Sequence, residues 1–206
     1  MIEIKTYEKK YEKDLLPIIS KTWNYGEICS EKTCLLLAKS YLNSCLACQT
    51  FNYVVVEDGV CKGIIVGKSH KSNFNFKYKF RVFTCALKLM FNKESKKITN
   101  IFSTVSNVDK DLLKKANKSY EAEVCYFVVD ESLRGQGIGK KLLNLFKEQI
   151  NKDHCVNYYL FTDSSCNYNF YLHNGLKIAA KEDRKVQVCG YKADLELFIL
   201  GQDLSD

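Results

Sequence analysis

The chain has 206 residues, 46% of them apolar, which is enough for one sizeable hydrophobic core. No uncharged apolar run of 18 residues and no apolar leader is present, so we expect a cytoplasmic protein with one domain over residues 1–206 and no integral membrane segment. The net charge of +7 is concentrated in residues 71–118, where 12 basic and 3 acidic residues give 12 − 3 = +9, leaving −2 elsewhere.

The ten cysteines are scattered along the chain. The only C-x-x-C pair, Cys45 and Cys48, has no second pair that could complete a zinc site. The histidines, His70, His154 and His173, share no spacing typical of metal ligands. We therefore expect reduced cysteines that pack as small apolar side chains, and no bound metal.

The first 70 residues predict a strand, two helices and a hairpin. Alternating polarity indicates the strand, and apolar residues at helical spacing indicate the helices. Asp14 is expected to cap the first helix, and Asp58-Gly59 is a turn typical of hairpins. The expected ranges are Ile2–Thr6 for the strand, Leu15–Trp23 and Glu31–Gln49 for the helices, and Phe51–Glu57 and Cys61–Lys68 for the hairpin strands.

Some fifty residues then separate the hairpin from the next strand. Residues 74–83 alternate like a strand, but polar residues at helical spacing continue to Asn92 and favour a helix. Apolar residues on one face between Ile98 and Ala116 predict a second helix.

A continuous apolar run, Val124–Val129, predicts a central strand buried on both faces. An amphipathic helix is expected from Ile138. Between them, Gly135, Gly137 and Gly139 remove the Cβ atoms that would keep a ligand away from the backbone. Unpaired N–H groups at a helix N-terminus favour an anion, so this turn is a candidate phosphate site.

Two common phosphate motifs fail here. The P-loop needs four residues between its first glycine and its Gly-Lys pair, and the dinucleotide fingerprint needs G-x-G-x-x-G. The segment instead fits R-x-x-G-x-G, with Arg134, Gly137 and Gly139, and so resembles the pyrophosphate loop of the GNAT acyltransferases.

Two further segments resemble the same family. Glu123 occupies the place of an acidic residue at the start of the family's fourth strand, and Phe170–Leu176 is similar to the later F-Y-x-x-x-G-F segment. The remaining elements are expected at Val156–Thr162, Asn167–His173, Leu176–Lys181 and Leu195–Leu200. The resemblance implies an α/β GNAT fold: a central mixed, mostly antiparallel sheet flanked by helices, with a helical insertion between strands 3 and 4.

The resemblance also implies an acetyl-CoA-dependent N-acetyltransferase that acts on a primary amine of a small molecule or peptide. Glu123 would assist deprotonation of the amine, and Tyr171 would protonate the departing sulfur. Other interpretations stay open, because Glu123 could be a solvated carboxylate, Tyr171 a core aromatic and Cys166 a nucleophile. The residues expected to bind the cofactor are Phe127, Val128, Val129, Arg134, Gly135, Gln136, Gly137, Ile138, Gly139, Lys140 and either Ser164 or Asn167.

The basic insertion has three interpretations. It could be a solvated helical face, a wall of the acceptor pocket that attracts acidic groups, or a surface that contacts a membrane or another subunit, as in a homodimer. We prefer the pocket wall, because the family's acceptor cleft opens where the insertion enters. A non-catalytic acyl-CoA-binding module is the alternative function, and nucleic acid is not expected as a partner because the rest of the chain is slightly acidic.

Overall fold

The fold is that of a computed structural model, which describes residues 1–27, 29–71, 78–92, 94, 108–188 and 191–204. Seven strands form one sheet in the order β1-β2-β3-β4-β5-β7-β6. Only the β4–β5 pair is parallel, and the other neighbours are antiparallel. The strands are β1 Ile2–Lys5, β2 Phe51–Glu57, β3 Val60–Ser69, β4 Ala122–Val129, β5 Asn157–Asp163, β6 Lys177–Val188 and β7 Tyr191–Asp203.

Helices cover both faces of the sheet. They are α1 Glu12–Thr22, α2 Glu31–Cys48, α3 Lys79–Met90, residues 108–116, which we number α4, then α5 Ile138–Lys152 and α6 Asn169–His173. None of the helices in the described parts of the chain combines the length and apolar character that a bilayer span requires. The sheet is therefore the middle layer of an α/β sandwich.

The core alternates across the sheet as a buried strand requires. Val54 and Ile64 pack on the α1 and α2 side, whereas Val55 and Ile65 pack against α5 on the other side. A third cluster places α4 against Tyr159 on β5 and its neighbours. The mixed α/β fold and the helical character of the described part of the insertion are as expected, and residues 74–77 and 98–107 lie outside the described residues.

The prediction that Asp14 caps the first helix is wrong. A 3-10 turn, Lys9–Tyr11, runs directly into α1, so the helix begins at Glu12 and Tyr11 occupies the N-cap position. Asp14 lies inside the first turn, where its carboxylate accepts a hydrogen bond from the Cys61 backbone N–H at 3.0 Å. The carboxylate therefore joins α1 to β3 instead of capping its own helix.

The last two strands are longer than the sequence predicts. They pair from Lys177↔Gly201 to Val188↔Tyr191, well beyond the apolar segments Leu176–Lys181 and Leu195–Leu200. The extension is rich in charged residues, with Glu182, Asp183, Arg184 and Lys185 in succession on β6. Its sequence lacks the apolar alternation from which a strand is predicted.

Candidate active site

The sheet opens between its two parallel strands. β4 and β5 pair only at Ala122↔Tyr158 and Glu123↔Tyr159. Beyond these residues β4 continues along β3 to Val129, while β5 continues along β7 to Asp163. Among the described residues, the edge of β4 that faces β5 therefore has no strand partner over Phe127, Val128 and Val129, and its backbone groups are open to a ligand in the gap.

The glycine-rich turn lies at the end of β4 and starts α5. Gly135 has φ 76° and Gly137, the N-cap of α5, has φ 75°, values that residues with a side chain rarely adopt. A Cβ at either position would meet no atom within 4 Å, so the glycines are required by the backbone conformation and not by crowding. The loop therefore presents bare, exposed backbone.

The backbone N–H groups of this turn are available. The first helical bond runs from the Lys141 N–H to the Gly137 carbonyl. For the N–H groups of residues 135–140 we find no acceptor within the described residues. Arg134 and Lys140 are exposed on the same turn. Unpaired backbone N–H donors, a helix N-terminus and two positively charged side chains therefore lie close together. This combination favours the binding of an anionic group.

The chain that leads into the turn is fixed by side-chain bonds. The Asp130 carboxylate accepts a hydrogen bond from the Ser132 N–H at 2.9 Å and so caps a short 3-10 turn. The Gln136 side-chain amide donates to the Ser132 carbonyl at 3.0 Å. Gln136 therefore has its side chain engaged within the loop, while its backbone N–H stays open. Ile138 is buried beneath the turn.

Gly139 permits close packing below the turn. A Cβ at Gly139 would lie 3.3 Å from the ring of Phe170 on α6 and 3.8 Å from that of Phe127 on β4. The rings of Phe127 and Phe170 lie 5.9 Å apart in an edge-to-face contact. This packing holds α6 against the opening of the sheet.

Tyr171 is brought to the same opening. Its ring lies 6.3 Å from that of Phe127, edge to face. Burial, and secondly the nearby Cys166, raise the pKa of the Tyr171 phenol above its ordinary value. The phenol therefore keeps its proton throughout the neutral pH range.

Glu123 lies at the narrow end of the opening. Its carboxylate is 3.8 Å from the Lys68 ammonium, and its register partners are Lys68 on β3 and Tyr159 on β5. The three side chains form a row across three strands on one face of the sheet. About 20% of the Glu123 side chain is exposed, so a substrate can reach it.

A β-bulge in β4 separates Glu123 from the residues beyond it. Val66 pairs with Tyr126 and Gly67 with Val124, so Cys125 is an extra residue. Val124 packs on the α5 side, whereas Tyr126 packs on the α1 and α2 side. The bulge sets which β4 side chains face each layer of helices, and the sequence contains no signal for it.

Asp109, in the insertion, is a second carboxyl group near Glu123, and it was not predicted from the sequence. Val108 and Leu112 on α4 pack in the cluster that contains Tyr159. Asp109 follows Val108, and burial together with the charge of Glu123 raises the pKa of its carboxyl to about 6. Asp109 is the residue of the described insertion that interacts with the row around Glu123.

Ser164 and Asn167, the two residues expected to bind the cofactor near this point, differ in whether their side chains are already hydrogen-bonded. The Ser164 hydroxyl accepts a hydrogen bond from the Glu196 N–H at 3.1 Å, and the Ser164 N–H donates to the Glu196 carbonyl at 2.9 Å. Ser164 is thus tied to β7. Asn167 is exposed, and its carbonyl accepts from the Phe170 N–H at 3.2 Å. The side chain of Asn167 is the freer of the two.

Cys166 is poorly suited to nucleophilic attack. Although Cys166 is an exposed residue, desolvation of its thiol by neighbouring atoms, and next the charge of Asp163, raise the Cys166 pKa above its ordinary value. A raised pKa lowers the fraction of thiolate, which is the reactive form. The geometry therefore gives no support to a covalent intermediate on this residue.

Comparison with known proteins was made by sequence and by structure. A sequence model of the acetyltransferase (GNAT) family matches residues 24–175. A search of curated proteins by sequence gave no match. Several solved acetyltransferase structures superpose on the chain over nearly its whole length.

One structure, described as a candidate phosphinothricin N-acetyltransferase, has a TM-score of 0.58 at 13% identity and covers 100% of both chains. PaiA N-acetyltransferase from Thermoplasma acidophilum, solved with coenzyme A, has a TM-score of 0.52 at 15% identity and covers 98% of this chain and 99% of its own. A GNAT acetyltransferase from Elizabethkingia anophelis with acetyl-CoA bound has a TM-score of 0.50 at 15% identity, covering 98% of both chains. At these identities the likeness establishes the fold.

Proposed function

Because the chain belongs to the acetyltransferase (GNAT) family, we propose that it transfers an acetyl group from acetyl-CoA to a primary amine of a small molecule or peptide. The observation that carries this proposal is the position of the exposed glycine turn beside the gap between β4 and β5. Residues 1–206 act as one catalytic domain. A ligand with a diphosphate at one end and an acyl thioester at the other fits these two features together.

The coenzyme is held mainly by backbone. The N–H groups from Gly135 to Lys140 bind the pyrophosphate, with Arg134 and Lys140 adding positive charge. The pantetheine arm extends along the open edge of β4 at Phe127–Val129 as an additional strand would. Asn167 is preferred over Ser164 for a hydrogen bond to this arm, because Ser164 is bonded to Glu196.

The reaction needs a neutral amine and a stabilised leaving group. Glu123 takes a proton from the amine, directly or through water, and the amine then attacks the thioester carbonyl. A β4 backbone N–H polarises that carbonyl. When the C–S bond breaks, the Tyr171 phenol donates its proton to the departing sulfur, and the nitrogen loses its second proton through solvent to restore the phenol. The products are an amide and free coenzyme A, and Glu123 releases the first proton to solvent. No acyl-enzyme forms.

The rival function is a non-catalytic acyl-CoA-binding module, in which the turn binds coenzyme but no acceptor chemistry follows. The two functions differ in turnover. Accumulation of free thiol from acetyl-CoA, measured with and without a panel of amines, should be accelerated by at least one amine if the chain is an acetyltransferase.

Binding itself is tested by calorimetric titration of the full chain with acetyl-CoA. We expect saturable binding, with S-acetylpantetheine binding more weakly because it lacks the pyrophosphate contacts. Absence of binding at high micromolar concentration would refute both functions. Binding without thiol release for any amine would leave the binding module as the function.

A further inference from the structure

The solvent side of α3 carries a continuous apolar stripe. Its five members are Phe80, Phe83, Leu87, Met90 and Phe91, which are 73%, 59%, 39%, 66% and 86% exposed, respectively. Their spacing places them on one face of a helix with 3.6 residues per turn. Single exposed apolar residues are ordinary, but a contiguous stripe with three phenylalanines marks an interaction site.

The stripe is not used to hold the helix in place. The opposite face of α3 buries Tyr78, Cys85 and Leu89, and α3 packs on α2, where the Asn43 amide contacts the Cys85 sulfur at 3.8 Å. The helix is therefore apolar on two faces, and within the described residues it is the face opposite the stripe that packs on α2.

The stripe is large for a monomer. If a fully exposed aromatic side chain presents about 200 Å², the five residues together present roughly 600 Å², as much as the largest functional patches of monomers. That area suits a membrane surface or a second protein equally, so the charge of the helix must decide between them.

The charge of α3 indicates the nature of the partner. The helix carries Lys79, Arg81 and Lys88 and contains no acidic residue. Lys79 and Lys88 are exposed and lie along the two edges of the stripe, while Arg81 stacks over the Tyr78 ring at 5.2 Å. Two copies of α3 across a dyad would bring four exposed lysines together with no anion on either helix, which is unfavourable.

We infer that α3 binds the surface of an anionic lipid membrane. The apolar stripe enters the boundary between head groups and acyl chains, and Lys79 and Lys88 extend along its edges to the lipid phosphates. The helix lies in the plane of the membrane and does not cross it. Since buried side chains of α1, α2 and α3 share one core cluster on one side of the sheet, binding would turn that side toward the membrane.

The test is flotation of the full chain with vesicles of phosphatidylcholine alone and of phosphatidylcholine mixed with phosphatidylserine. We expect binding to the mixed vesicles that weakens as salt is raised, and little binding to phosphatidylcholine alone. The Phe80→Glu/Phe83→Glu variant should lose binding by about tenfold or more. Val156→Glu is the matched control, because Val156 and Phe83 are both 59% exposed, and it should bind as the wild type does.

The electrostatic contribution has its own variants. Lys79→Gln/Lys88→Gln should lower binding to mixed vesicles by about tenfold, whereas Lys13→Gln/Lys32→Gln, two exposed lysines on α1 and α2, should change it little. Circular dichroism checks that each variant is folded. Phe91→Glu, one residue past the end of α3 and 86% exposed, tests the same stripe without altering the helix.

Failure of the wild type to bind mixed vesicles would overturn the inference. So would unchanged binding by both Phe80→Glu/Phe83→Glu and Phe91→Glu. A wild-type dimer that these substitutions convert to a monomer, with no vesicle binding, would show that the stripe joins two copies instead. None of these outcomes depends on acetyl-CoA, so they are independent of the proposed catalytic function.

Discussion

Glu123 and Tyr159 are register partners at the last position where β4 and β5 are paired. Beyond this pair the strands separate, and the opening that results has the glycine turn and Tyr171 along its far side. At about 3.3 Å per residue, Glu123 and Phe127 are roughly 13 Å apart along β4. The acceptor amine is therefore expected at the closed end of the opening and the coenzyme along its length.

Glu123→Gln should lower kcat by about 100-fold or more while leaving the Kd for acetyl-CoA unchanged. Glutamine keeps the size of the side chain but cannot take up a proton. Thiol release with a reactive amine measures kcat, and calorimetry measures Kd. The matched control is Glu121→Gln, at a carboxylate whose contacts are the Val156 N–H at 2.8 Å and Lys71 at 3.2 Å. An unchanged kcat in Glu123→Gln would remove this residue from the mechanism.

Tyr171→Phe should lower kcat strongly and preserve coenzyme affinity, because only the hydroxyl is lost and the contact with Phe127 remains. The control is Tyr168→Phe on the adjacent turn, whose ring packs on Phe198 at 4.8 Å and should need no hydroxyl for this reaction. The environment raises the pKa of Tyr171. Ionisation of this phenol should therefore not reduce the wild-type rate at any pH up to about 10. Equal kcat values for the wild type and Tyr171→Phe would rule out the acid role.

Gly137→Ala should cost about 1–2 kcal/mol of stability, because alanine is strained at the φ of 75°. It should also weaken acetyl-CoA binding, because the loop must move from the conformation that directs its N–H groups outward. Chemical denaturation and calorimetry report the two effects separately.

Gly59→Ala provides the matched control for Gly137→Ala. Gly59 has φ 84° and, like Gly137, no atom within 4 Å of an added Cβ, but it lies in the β2–β3 hairpin turn. Both variants should lose similar stability, and only Gly137→Ala should lose coenzyme affinity. A similar loss of affinity in both would mean that general destabilisation, and not the turn, is responsible.

The features that could be predicted from sequence are those with a local signal. The hairpin at Asp58-Gly59 has positive φ at both residues, as its residue types predict. The turn at Gly135–Gly139 and the helix that follows are set by glycine placement and apolar spacing. The β4 bulge at Cys125 and the approach of Asp109 to Glu123 arise from packing between distant segments, so neighbouring residues carry no sign of them.

The charge of the insertion illustrates the same limit. Its sum of +9 predicts a wall that attracts acidic groups, and Lys77, Lys93, Lys96 and Lys97 of that segment lie outside the described residues. Within the described part, the charge of Glu123 acts on a carboxyl group, that of Asp109. A charge total describes a segment, and only the fold decides which side chain faces the site. The basic residues of α3 lie instead beside an apolar surface stripe.

Asp109→Asn should stabilise the protein at about pH 7.5 and have little effect at about pH 4. The pKa of the Asp109 carboxyl is about 6 in the folded chain, against an ordinary 3.8. The folded state therefore holds this proton more tightly, and stability is lost as the pH rises from 3.8 through 6. A fully buried group with this shift would cost ~3 kcal/mol, and exposure of part of the side chain to solvent reduces this to about 1 kcal/mol.

Denaturant unfolding of the wild type and Asp109→Asn across this pH range measures the difference. Asparagine is neutral at every pH, so the two stability curves should converge as the wild-type carboxyl becomes protonated. Asp111→Asn, on the same helix, is the control: the Asp111 side chain is 53% exposed and lies 3.4 Å from Lys114. Its removal should be nearly neutral for stability. A pH-independent difference for Asp109→Asn would show that Glu123 and burial do not act on Asp109 as the structure indicates.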